Sequence, residues 1–121
     1  MKVKIKVRDI LLEAELFDDL RTAKAVAESL PIKGIVKRWG DEIYFETSLT
    51  IDFEENSKDV VEIGDIAYWI PGMAICIFFG KTPISDDKIR PASPVNVFGK
   101  VLGDVKKLKE VREGDEIEIT K

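Results

Sequence analysis

The sequence predicts a mostly β fold, a closed barrel of about eight strands with two helices, in one domain covering residues 1–121. Three observations point there. Apolar and polar residues alternate in short runs along most of the chain, turn signals built on glycine, proline and aspartate separate the runs, and only two stretches carry helical spacing. Closure is expected because an open sheet of that size leaves two unpaired edges.

Val3, Ile5 and Val7 alternate with Lys2, Lys4, Lys6 and Arg8, the pattern of a strand with one face in a core and one in water. Leu12, Ala14 and Leu16 alternate with Glu13, Glu15 and Phe17, and the short Arg8-Asp9-Ile10 link makes this the return strand of a hairpin. From Asp19 the period changes. Leu20, Ala23, Ala27 and Leu30 fall at helical spacing, Asp18 or Asp19 is placed to cap the free amides, and Pro31 ends a helix of about three turns. Residues 35–39 and 42–47 are strand-like and flank Gly40-Asp41, where glycine permits a tight reversal. A further strand is expected over residues 49–53, and the polar stretch 54–59 reads as an exposed loop.

The most apolar part follows. A Gly64-Asp65 turn leads into a strand over residues 66–69, Pro71-Gly72 makes another turn, and residues 74–79 form an unbroken apolar strand expected at the centre of the core. Residues 80–94 hold Pro83, Pro91 and Pro94 among polar residues and read as an ordered excursion of the kind that often carries function. Residues 95–102 are again strand-like. Residues 104–111 predict a short helix with Val105, Leu108 and Val111 inward, and residues 116–120 a closing strand.

Composition narrows the function classes. Charge is dense but mixed, 19 basic against 23 acidic residues, so no broad positive surface awaits a phosphate backbone and no nucleic-acid partner is expected. No run is long and apolar enough to span a membrane, which makes cytoplasmic residence the expectation. Richness in lysine and glutamate is compatible with a thermophilic source. Histidine is absent, which removes Ser-His-Asp and Cys-His nucleophiles, histidine-ligated zinc and an imidazole base. Cys76, the single cysteine, lies in an apolar run and reads as a packing residue. The acidic groups Asp86-Asp87, Asp52-Glu54-Glu55 and Glu113-Asp115-Glu116 lack calcium-loop spacing and read as solvated charge, so neither a metal nor a cofactor is expected.

Several segments resemble a known family in residue detail. Phe78-Phe79 closes an apolar strand, and a proline-bearing loop leads to Val97-Phe98-Gly99-Lys100-Val101, followed by a short helix and a final strand. Trp39-Gly40-Asp41-Glu42-Ile43-Tyr44-Phe45, Gly64-Asp65-Ile66-Ala67-Tyr68-Trp69 with its Pro71-Gly72 turn, residues 76–83, and Pro91-Ala92-Ser93-Pro94-Val95-Asn96-Val97 add to the likeness. Together they resemble the small bacterial and archaeal cyclophilin-like proteins. The resemblance implies a cyclophilin-like barrel with a cleft.

For activity, the resemblance implies an apolar pocket for a proline ring and an arginine that supports the twisted amide, against a rotational barrier of about 18 to 20 kcal/mol. Arg38 is the candidate arginine, with a solvated strand arginine as its ordinary reading, and Phe79 matches a pocket residue by motif. The departures are plain. No Phe-His precedes Arg38, Ile77 stands where a glutamine is expected, and the following loop offers Ile84, Ile89 and Arg90 in place of tryptophan and histidine. Trp69 and Met73 flank one turn and Trp39 and Tyr44 another, where aromatic groups can line a groove. The expected ligand-binding set is therefore Arg38, Tyr44, Trp69, Met73, Phe79 and Ile89. Its expected role is to hold a peptide or small molecule without typical cyclophilin catalysis; the alternatives are a peptidyl-prolyl isomerase using Arg38, or a structural or oligomeric subunit.

Overall fold

The computed structural model describes all residues, 1–121. Strands β1 (Lys2–Val7) and β2 (Ile10–Leu16) form the opening hairpin, with Val3, Ile5, Val7, Ile10, Leu12, Ala14 and Leu16 buried, as their alternation predicts. Helix α1 (Arg21–Glu28) follows, then β3 (Ile32–Ile35), β4 (Lys37–Arg38), β5 (Glu42–Glu46), β6 (Ser57–Lys58), β7 (Asp65–Trp69), β8 (Ala74–Phe78), β9 (Val95–Val101) and β10 (Glu116–Thr120). A 3₁₀ turn at Ile70–Gly72 joins β7 to β8. The second predicted helix is a 3₁₀ helix, Val105–Glu110, with Val105, Leu108 and Val111 buried.

The protein is mostly β, one antiparallel sheet in the order β3-β10-β1-β2-β9-β7-β8-β5-β4, with β6 beside β9. Two expectations are corrected here. There are ten strands, not about eight, because β4 and β6 are two-residue pairings too short to stand out in the sequence. No hydrogen-bonded ladder joins the end strands β3 and β4, so the sheet is not closed. These two strands are successive pieces of one chain path separated by Val36, and neighbours in line cannot pair side by side. The Val36 amide donates to Asp115 and its carbonyl accepts from Gly114 instead.

The main core is filled by Ile5, Phe45, Tyr68, Ile75, Ile77, Phe98 and their neighbours, with Ala23 and Val26 of α1 packed against it. Each large aliphatic or phenylalanine side chain among them contributes about 1.5 to 3 kcal/mol on burial. A second, smaller cluster of Val61, Ala67, Cys76, Phe78, Val95 and Val97 is separate from this core. Alternation along β8 explains the pair: Ile75 and Ile77 point into the core, while Cys76 and Phe78 point to the second cluster. Phe79 lies in the main core, so the paired phenylalanines pack on opposite sides.

Other expectations change for local reasons. Neither Asp18 nor Asp19 caps α1, which spans eight residues. Asp18 binds the Met1 ammonium at 2.9 Å, and the Glu55 carboxylate accepts the helix amides of Arg21 and Thr22 at 2.9 and 2.7 Å. Residues 49–53 form no strand. The Tyr68 hydroxyl donates to the Leu49 carbonyl at 2.6 Å and accepts the Ile51 amide at 3.3 Å, leaving that backbone without a ladder. No helix is long and apolar enough to cross a membrane.

Candidate functional site

The β4–β5 connection begins the site. Trp39 and Glu42 exchange backbone hydrogen bonds at 2.9 and 3.2 Å around Gly40, whose φ of +61° suits glycine. A side chain there would also press on the Lys81 carbonyl. Being directly opposed, Trp39 and Glu42 leave the hairpin on one side, and Tyr44 follows two residues along. Strand β8 separates β5 from β7, which brings Trp69 to this side, where its indole and the Tyr44 ring meet edge to face, 6.4 Å between centroids at 80°.

The excursion at residues 80–94 completes the site. Trp69 Nε1 donates to Ser93 Oγ at 2.7 Å, which ties the excursion over the sheet and places Ala92 against the aromatic groups. The result is a cavity of about 240 Å³ lined by Trp39, Glu42, Tyr44, Trp69 and Ala92. Gly72 makes room for this arrangement, since a Cβ there would run into the Trp69 indole.

Glu42 is the chemically unusual member. It is 5% exposed and belongs to none of the ion pairs of the protein. Burial raises its carboxyl to about 7, and the neighbouring Cys76 thiol pulls the other way. Cys76 itself is pushed well above the usual thiol range by burial and then by the Glu42 charge, so it behaves as a packed thiol. Sequence reasoning missed Glu42 because Glu42, Tyr44 and Glu46 alternate with Ile43 and Phe45, as a solvent-facing edge does. Nothing local says that residues some fifty positions on fold over it.

The expected site residues divide into separate groups. Tyr44 and Trp69 line the cavity, and Ile89 packs with both against the second cluster, held by a bridge to Val61. Met73 lies at the β7–β8 turn, 43% exposed and outside the cavity lining, with its carbonyl accepting the Thr47 amide. Arg38 and Phe79 form a different pair, the guanidinium 5.0 Å from the ring centroid. Phe79 is 1% exposed and part of the core.

Arg38 spends its donors on the protein. Nε and Nη2 donate to the Gly40 carbonyl at 3.1 and 3.0 Å, Nη1 to the carbonyls of Lys109 and Val111 at 3.1 and 2.7 Å, and Nη2 also reaches Asp41 at 3.5 Å. A guanidinium has five N–H donors, and all five are engaged here. The side chain clamps the β4–β5 turn to the 3₁₀ helix.

A larger groove of about 820 Å³ crosses β1, β10 and β3, but it is open and lined mainly by charges of both signs, including Lys6, Arg8, Lys33, Glu116 and Glu118. Lys33 and Glu118 already pair across it at 3.7 Å. No three histidine, cysteine or acidic side chains converge as metal ligands do.

Comparison with known proteins agrees with this architecture. Residues 1–120 match the family model described as cyclophilin-like. The hypothetical protein AF2241 from Archaeoglobus fulgidus, solved in solution, is 52% identical, with 99% of this chain and 93% of that one covered and a TM-score of 0.83. McbB, solved in complex with tryptophan, shares the fold at a TM-score of 0.73 and 13% identity, over 98% of this chain and 44% of McbB. No curated protein matches. Family model, archaeal relative and sheet order lead to one assignment: this chain belongs to the cyclophilin-like family.

Proposed function

We propose that the protein is a cyclophilin-like binding domain that holds a small molecule, or one side chain of a peptide, in the cavity between Trp39, Tyr44 and Trp69. The observation that carries this reading is Glu42. A carboxyl that is buried among aromatic rings with no cation costs stability, and a site that pays such a penalty commonly does so for a ligand. The volume sets the scale. At about 240 Å³ the cavity falls below the roughly 300 to 1,000 Å³ that enclose a drug-sized molecule, so it suits one ring or one head group.

An isomerase that works through Arg38 and Phe79 draws no support from their geometry, because a prolyl amide would find no free guanidinium donor and no open ring. Titration with blocked proline-containing peptides and with small ring and amine fragments, following backbone amide shifts, tests the binding reading. It expects at least one of these to move Trp39, Glu42, Tyr44 and Trp69 together. Shifts scattered over the surface, or none, would remove it. In a coupled isomerisation assay, wild type and Arg38→Ala are expected to run alike at the uncatalysed rate.

A further inference from the structure

Resting on the binding reading above, we propose that the cavity recognises an organic ammonium ion, with its charge set among the rings of Trp39, Tyr44 and Trp69 and against the Glu42 carboxylate. The chemistry of the walls selects it. Aromatic faces carry negative potential and attract cations, most strongly for tryptophan, and two of the three rings here are indoles. Tyr44 and Trp69 stand at 80° to one another, so they make a corner that can contact two sides of a compact group. Glu42, more than nine-tenths buried, lines the same space without a cationic partner.

Other ligand classes fit less well. An anion would meet a carboxyl and three aromatic rings, with no cation to hold it. A metal ion would find one carboxyl beside a thiol that burial keeps protonated. A purely apolar group would fill the corner but leave Glu42 unpartnered. An alkylammonium, from primary to quaternary, satisfies the rings and the carboxylate together, and the cavity has room for the head group but not for a large body.

Proton release follows from the same geometry. The titratable groups facing Glu42 are Cys76 from β8 and Tyr44 from its own strand; Trp69 of β7 and Ala92 of the excursion bring none, and no lysine, arginine or second carboxyl acts on it. Cys76 stays a thiol, so Glu42 is the group that responds. A bound cation favours the ionised carboxyl and expels its proton, so affinity climbs as pH rises toward neutrality and levels above it.

The test compares choline with its neutral isostere 3,3-dimethylbutan-1-ol, read by fluorescence of Trp39 and Trp69, the only two tryptophans, and by calorimetry in buffers of different ionisation enthalpy. Choline is expected to bind at least about tenfold more tightly, the scale of one cation–π and carboxylate contact. Close to one proton should be released per ligand near pH 6 and none near pH 9, and Glu42→Gln should lose both preference and release. Equal binding of the two compounds would overturn the ammonium assignment and leave the binding reading standing. Failure of choline, tetramethylammonium, methylammonium and a trimethyllysine peptide alike would also overturn it, while a neutral fragment that still moves the site keeps the binding reading. Tighter binding of the trimethyllysine peptide than of choline would assign the source to a protein side chain, and the reverse to a free amine. Proton release is measured on the wild type, so the test survives a Glu42→Gln variant that fails to fold.

Discussion

The Glu42 carboxyl and the Cys76 thiol are electrostatic neighbours across adjacent strands β5 and β8, beside the corner formed by Tyr44 and Trp69. Two acidic groups thus sit together in a place from which water is largely excluded. The thiol eases ionisation of the carboxyl against the larger effect of burial, the ionised carboxyl makes ionisation of the thiol harder, and the carboxyl, with the lower ordinary value, titrates first.

Stability should therefore fall as pH rises between about 4.5 and 7 at this site. The folded protein holds the Glu42 proton to about 7, whereas the unfolded chain loses it near 4.5, so the folded state binds more protons throughout that window. The shift corresponds to about 3 kcal/mol, fully expressed above the window. Glu42→Gln should be more stable than wild type by up to about 3 kcal/mol at pH 8 and close to equal at pH 4. Urea unfolding of both proteins at several pH values checks this. Glu55 and Asp86, held below the usual carboxylate range, act in the opposite sense but cancel in the comparison, so a gap independent of pH would contradict it.

Cys76 should be inert in the folded state. Burial and the neighbouring carboxyl keep it protonated, and the thiolate is the reactive form. A disulfide exchange reagent at pH 8 is expected to label it only at the rate of unfolding. Prompt stoichiometric labelling of native protein would show that the second cluster is open.

Arg38 should matter for stability and not for the cavity. Arg38→Ala leaves the carbonyls of Gly40, Lys109 and Val111 without their charged donor, which costs about 2 to 3 kcal/mol. Arg38→Lys should recover less than half of that, because an ammonium cannot span three separated carbonyls as a planar fork does. Chemical unfolding measures the loss. An undiminished midpoint in Arg38→Ala, or loss of ligand-induced shifts at Trp69, would contradict the clamp.

Gly72→Ala should disturb the site from behind. The added methyl meets the Trp69 indole, and accommodating it costs about 1 to 3 kcal/mol and moves the ring off Tyr44 and Ser93. A shifted tryptophan emission maximum is the expected sign. An unchanged spectrum at wild-type stability would mean that Trp69 is not held as described.

Much of the fold was legible because its signals are local. Val3, Ile5 and Val7, the Gly40-Asp41 and Gly64-Asp65 turns, and the inward Val105, Leu108 and Val111 each declare themselves within a few residues. What stayed hidden depends on distant partners. Residues 49–53 look like a strand until the Tyr68 hydroxyl takes their backbone groups, and Asp18 looks like a helix cap until Met1 claims it. Tyr44 and Trp69 could be read as groove residues because they flank turns, whereas Glu42 could not be separated from a solvent-facing glutamate until the excursion covers it. Arg38 was found by likeness, but its role is set by carbonyls some seventy residues away.

The titration of the Glu42 side-chain carboxyl, followed through its carbon-13 shift in unliganded protein, tests the central claim most directly. A midpoint near 7 that drops when choline is bound is the expected result. A midpoint close to 4.5, unmoved by any ligand, would show an ordinary solvated glutamate and end the case for this cavity as a recognition site.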